Sequence, residues 1–187
     1  GLRQWQGRVM SLRQWTPDLR LPDVSDDALA ATLDDWLRHA FAGKIRLDAL
    51  SEEELGEALK SALDWSTRQQ LDRHAPVRIT VPSGMERRID YGLDHEGQPQ
   101  PPVLAVKLQE LFGLADTPRI ADGRVPLLLH LPSPAGRPLQ VTGDLKGFWD
   151  RTYPEVKKEM KGRYPRHPWP EDPWSATATH RAKPRGT

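Results

Sequence analysis

At 187 residues, 37% of them hydrophobic and 28% charged, the chain is long enough for one large domain or two small ones around a modest core. It has no cysteine, which excludes disulfides, zinc–thiolate centres and a catalytic thiol, and no apolar run approaches the ~20 residues that span a bilayer. The formal net charge is +1, but residues 1–150 carry 18 Lys/Arg against 22 Asp/Glu while residues 151–187 carry 9 against 4, so the C-terminal end suits an anionic partner, or is a solvated helix face with a basic tail.

The chain opens at Gly1 without a leader-like segment and reads as a piece of a longer protein. Leu2, Trp5, Val9 and Leu12 predict a first helix that stops before Pro17. Ser25 is a good N-cap for a second helix, with Asp26 and Asp27 at its positive end and Leu29, Leu33, Trp36, Leu37, Ala40 and Phe41 as its apolar stripe. Gly43 is its natural stop. A third helix begins with the capping box Ser51-Glu52-Glu53-Glu54, supported by a Leu50–Leu55 staple, and is expected to run to about Leu71.

The period then changes. Val77, Ile79 and Val81 alternate with polar residues, Pro82-Ser83-Gly84 is a turn, and Arg87 to Tyr91 alternates again, so the pair predicts a hairpin. Gly92 to Pro102 is a loop. Pro102 sits well at the first position of a helix running through Val103, Val106, Leu108, Leu111 and Phe112 to Gly113. Val125 to Leu131 reads as one buried strand, Pro132 to Pro138 as a turn, and Leu139 to Val141 as a further strand. Asp144 caps a last helix that Pro154 should break into two pieces, over about 144–152 and 154–161. Pro165, Pro168, Pro170 and Pro173 predict an extended segment pinned by Trp169 or Trp174. Residues 175–187 read as disordered.

The fold class expected is α+β. A helical part (1–75) leads into a small mixed unit (76–165) of hairpin, helix, strand and kinked helix, followed by an extended or disordered Pro/Trp-rich basic tail (166–187).

Catalytic signals are weak. His39, His74, His95, His130, His167 and His180 show no metal-ligand spacing. The acidic pairs at 26–27, 34–35 and 52–54 are helix neighbours that do not face one another. Ser83 and Ser133 lie in turns without partners, and no Walker A sequence is present to cradle phosphates. The strongest binding candidate is the cluster Arg151, Lys157, Lys158, Lys161, Arg163 and Arg166, interleaved with Trp149, Tyr153, Tyr164 and Trp169. Cations meet phosphates and aromatic faces stack on unpaired bases. Equally, Trp149 and Tyr153 share a helix face and fit a core. Arg78, Arg87 and Arg88 form a second, weaker patch, or an ordinary solvent-facing sheet surface.

Several long motifs occur in one order: Val81-Pro82-Ser83-Gly84, Arg88-Ile89-Asp90-Tyr91, the run from Pro102 to Gly113, Arg163-Tyr164-Pro165, and Trp169-Pro170-Glu171-Asp172-Pro173. Together with the helical stretch around Leu63-Asp64-Trp65, they make about four fifths of the chain resemble the C-terminal region of HrpB-type bacterial DEAH-box ATP-dependent RNA helicases. Pro132 departs from that pattern, where leucine is expected. The resemblance implies a cytoplasmic helicase whose ATPase motifs, with their ATP and Mg, lie upstream. For this segment it implies no catalytic residue, no cofactor and no metal. Its role is then binding: of RNA, of a protein partner, or of the helicase core itself through an apolar patch to which Trp5, Trp15 and Trp174 contribute.

Overall fold

A computed structural model of the chain describes residues 1–41, 51–132 and 139–181, with side chains described outside 37–41. The fold is α+β and forms two compact units, residues 1–76 with 90–102, and residues 77–89 with 103–187.

The first unit is built on helix α1 (Leu2–Trp15), which touches α3 (Glu52–Ala62) and α4 (Trp65–His74), while α2 (Asp26–Phe41) lies against α3. Trp5, Val9, Met10 and Leu12 of α1 are buried with Leu21, Val24, Leu59, Leu63 and Leu71. The α1 and α2 predictions hold, and Ser25 Oγ caps α2 at the Ala28 N–H. Gly43 and the proposed Leu50 staple lie outside the described residues.

Two helices, α3 and α4, occupy the stretch expected to hold one. The capping box at Ser51 forms as anticipated, with Ser51 Oγ and Glu54 each accepting the other's backbone N–H. At Leu63, however, the chain turns extended, and Asp64 caps a fresh helix by accepting the Thr67 N–H at 2.7 Å. The apolar period ran through this point, but an Asp competes for backbone donors and favours a cap over a helix interior.

Residues 90–102 fold back on this unit at Tyr91. Its N–H donates to Gln4 Oε1 and its hydroxyl donates to the Pro76 carbonyl at 2.6 Å. Burial raises the pKa of that hydroxyl, so it stays a donor. Gly7, inside α1, is required by this contact: a Cβ there would stand 2.3 Å from the Tyr91 carbonyl oxygen. Glycine normally costs a helix interior about 0.5–1 kcal/mol relative to alanine, yet here alanine would collide with backbone.

The second unit is a five-stranded sheet in the order β1 (Arg78–Thr80), β2 (Glu86–Asp90), β3 (Val103–Ala105), β6 (Leu128–Leu131), β7 (Gln140–Thr142), with a small ribbon of β4 (Arg119–Ile120) and β5 (Val125–Pro126). The predicted hairpin is present, pairing Arg78 with Arg88 and Thr80 with Glu86. The predicted helix from Pro102 to Gly113 is not. Val103–Ala105 is a strand parallel to β6, and a short 3-10 turn, Leu108–Leu111, follows. Leu104 and Val106 are buried while Ala105 and Lys107 are exposed, so the operative period is two, and Val103, Val106 and Leu108 had mimicked a helical stripe. Likewise, the apolar run at 125–131 is not one strand. It divides at buried Leu127, β5 pairing with β4 and β6 with β3 and β7. Residues 133–138, including the expected turn and Ser133, lie outside the described residues.

Pro154 does not break the last helix. A short helical turn, α5 (Leu145–Gly147), capped by Asp144, runs through a widened π turn, Phe148–Thr152, into α6 (Tyr153–Met160). The Tyr153 N–H donates to the Phe148 carbonyl five residues back, a spacing that leaves room for the ring of a proline without an N–H. Trp149 and Tyr153 are core residues. Their rings meet edge-on at 5.4 Å between centroids, and Phe112 and Phe148 join them.

One carboxylate ties the hairpin to the 3-10 turn. Glu110, 1% exposed, accepts from the Arg87 guanidinium at 2.6 Å, from Ser83 Oγ at 3.2 Å and from the Lys107 N–H at 3.1 Å. Burial alone would push its pKa up, but the Arg87 and Lys107 hydrogen bonds outweigh that and leave it below the usual carboxylate value.

Two predictions concern these anchors. Gly7→Ala should destabilise the fold, whereas an unconstrained helical glycine gains by the change; urea unfolding reads the sign. Glu110→Ala leaves a partly buried guanidinium unpaired and should cost about 3–5 kcal/mol. Because the folded-state pKa is depressed, the Glu110 contribution is complete above the unfolded value near ~4.3 and is lost as pH falls through the folded value. Acid unfolding of the Glu110→Ala chain should therefore show a shallower pH dependence.

Candidate nucleic-acid interface

The basic cluster occupies α6 and the segment that follows it, and its members stand in different environments. Lys157 is tied to Glu171 and its side chain is only 14% exposed. Arg151 pairs with Asp144 at 3.4 Å. Lys158, Lys161, Arg163 and Arg166 are exposed, and among the described residues none has a carboxylate within 4.0 Å. Lys161 acts on Glu171 only at longer range, helping Lys157 hold that exposed carboxyl below its usual pKa.

Residues 165–174 are not extended throughout, contrary to the sequence expectation: turns or bends occupy 165–167, 171 and 173–174. They form a strap with turns at both ends, held at several points. Tyr153 donates its hydroxyl to the Pro170 carbonyl at 2.6 Å, Trp169 Nε1 donates to the Tyr164 carbonyl at 3.1 Å, and the Gly113 N–H donates to the Pro173 carbonyl at 2.8 Å. Burial, with the Glu171 charge adding to it, raises the Tyr153 pKa, so the hydroxyl remains a donor. Gly113 has φ +91°, a conformation natural to glycine. Trp169 is one of the expected pins; Trp174, 42% exposed, is not buried. Residues 175–181, read from sequence as disordered, turn back onto the unit: the Thr179 N–H meets the Gln109 carbonyl and Lys107 Nζ meets the His180 carbonyl. Residues 182–187 lie outside the described residues.

Of the aromatic residues in the cluster, Tyr164 and Trp169 remain half-exposed, with His167 between them at 6.1 and 6.4 Å from their ring centres. Trp149 donates to the Leu114 carbonyl and is closed off. The second basic patch keeps Arg78 and Arg88, which face each other across the hairpin, and loses Arg87 to Glu110.

Beside the strap lies a cleft of about 180 Å³ lined by Phe148, Val156, Met160, Pro168 and Trp169, with Lys107, Gln109, Gln140 and His167 as its polar members. Burial and then the nearby Lys107 charge lower the His167 pKa, so the ring is neutral at pH 7. Sequence reasoning missed Gln109 and Lys107. Both were assigned to a helix that does not form, and the mixed polar stretch Lys107-Leu108-Gln109-Glu110 gave no local signal of a cleft.

No group of three or more His, Cys, Asp or Glu among the described residues could hold a metal ion. No helix among the described residues is long and apolar enough to cross a membrane.

A family model described as ATP-dependent helicase C-terminal, HrpB_C, matches residues 36–173. The chain belongs to this family. It is 46% identical over 176 residues to the ATP-dependent RNA helicase HrpB of Escherichia coli K12, covering 94% of this chain and 21% of that protein. The crystal structure of the E. coli DExH-box NTPase HrpB superposes with a TM-score of 0.82 at 46% identity, over 95% of this chain and 21% of that one. A second crystal structure, of the E. coli DEAH/RHA helicase HrpB, gives 0.68 at 44% identity, over 89% and 20%. The chain thus spans about a fifth of the length of the relatives it matches.

The strap should open without unfolding the unit. Tyr153→Phe removes one hydrogen bond, worth about 0.5–1.5 kcal/mol, and should speed exchange of the His167 and Gly113 amides while the buried strand amides of β6 stay protected.

Proposed function

We propose that this chain is a non-catalytic accessory region of an ATP-dependent RNA helicase and contributes RNA binding. ATP hydrolysis, with its Mg, belongs on this reading to the part of the protein upstream, and the whole acts in the cytoplasm. Family membership supports the helicase context, and the HrpB relative is itself called an RNA helicase. The observation that carries RNA contact is the exposed cation set Lys158, Lys161, Arg163 and Arg166, beside the half-exposed rings of Tyr164 and Trp169. These supply phosphate neutralisation and a stacking surface. Lys157 and Arg151, each already paired, contribute to the local field more than to direct contact.

A second reading is docking onto a protein partner or the helicase core. Trp65, the first residue of α4, favours it: 69% of its surface is exposed, an expensive display for a side chain of that size unless something covers it. Of the residues expected to contribute, Trp5 is buried and Trp15 half-buried, while Trp174 is exposed.

Fluorescence-anisotropy titration of a labelled single-stranded RNA separates the two. With about four phosphate contacts, affinity should fall roughly fifty-fold between 50 and 200 mM salt. Lys158→Glu/Lys161→Glu should abolish most of the binding and flatten the salt slope. Absence of binding at low salt defeats the RNA reading and leaves docking through Trp65.

A further inference from the structure

Gln109 is a polar side chain set in a largely apolar wall of the second unit. It is 6% exposed, and its side-chain amide makes no hydrogen bond among the described residues, although its backbone carbonyl is engaged by Thr179. The amide is not among the fully buried, unpartnered side-chain groups of the described residues, so it reaches the space beside it and is open to pairing with an occupant. Gln109 lines the cleft beside the strap. Gln140, half-buried on β7, lines the same cleft and likewise has no side-chain partner among the described residues. The rest of the wall is apolar and aromatic, notably Phe148, Met160 and Trp169.

An occupant must therefore be apolar on its faces and carry both donors and acceptors on its edge. At about 180 Å³ the space is below the ~300–1,000 Å³ of sites for drug-sized ligands, which limits the occupant to one small ring system. Lys107 lies at the cleft and the exposed cations of α6 and the strap belong to the same unit, so a polyanion is favoured over an acidic or apolar peptide as the chain that presents the ring. We infer that the cleft holds one unstacked nucleobase of single-stranded RNA, its face against Trp169 and its edge paired with the amides of Gln109 and Gln140. Bidentate pairing of Gln with adenine is the best match of donor to acceptor. The inference rests on the RNA-binding reading and adds to it a base-reading subsite that charge alone does not supply.

The test uses the whole 187-residue chain and two labelled probes, a short oligoadenylate and an abasic strand with the same ribose–phosphate backbone. The unmodified chain should prefer oligoadenylate roughly tenfold. Gln109→Leu, which keeps the packing volume, should erase that preference and leave abasic binding and the urea midpoint unchanged, or raise the midpoint. A merely structural Gln109 would instead lower the midpoint. Equal affinity for both probes, or a Gln109→Leu chain that retains the preference, overturns the cleft and leaves a cation-driven RNA reading standing. No binding of either probe at low salt removes the RNA reading and the cleft together. Should Gln109→Leu fail to fold, the Gln109 side-chain amide resonances of the unmodified chain must shift with oligoadenylate and not with the abasic strand; resonances that stay put overturn the proposal.

Discussion

The Glu110 carboxylate is the fixed point of the second unit. A buried ion pair by itself roughly breaks even against its desolvation, so the value of Glu110 lies in how many separate pieces it registers. It holds the hairpin turn through Ser83, strand β2 through Arg87 and the start of the 3-10 turn through the Lys107 N–H. With that turn placed, Gln109 and Lys107 face the cleft on one side, and Leu111 and Phe112 enter the core on the other. Phe112 then meets Trp149 and Tyr153, which carry α6, and Tyr153 in turn holds the strap at Pro170.

The same economy explains why the basic cluster divides. A strap of four prolines has few N–H groups of its own to give to a ladder, so side chains of α6 secure it: Tyr153 by a hydrogen bond and Lys157 by its pair with Glu171. Those residues lie on the inward side of the helix. Lys158 and Lys161 lie elsewhere on its surface, exposed. Sequence proximity had grouped all of them, because along the chain a structural cation and a free one look alike.

What the sequence made legible follows from how local each signal is. The capping box at Ser51, the hairpin around Pro82-Ser83-Gly84 and the Asp144 cap are settled within four or five residues, and all three form. The α+β class follows from the change of period near Val77. The misread strands needed a distant partner. Val103–Ala105 is a strand because β6 lies beside it, a pairing between residues about 25 apart, and no local period announces that. The split at Asp64 was legible in principle, since Asp is a better cap than helix interior, but a continuous leucine stripe outweighed it. Pro154 was rightly marked as a disturbance; the chain answered with a π turn and kept the helix running. For the candidate site, residue types pointed to the charged half and could not point to the cleft, whose walls come from four separate stretches of sequence.

Under the RNA-binding reading, a tethered module of this kind has no need of high affinity. The chain corresponds to about a fifth of the relatives it matches, and a module joined to a larger RNA-binding protein meets its strand at an effective concentration set by the connection, in the millimolar range for short links. Four exposed cations and one base pocket then suffice to retain a strand between steps, and weak contacts release it readily. A tight site would oppose movement along the strand. The division seen here, with some cations spent on holding the strap and the others left open, keeps the external contact modest while keeping the surface that makes it rigid.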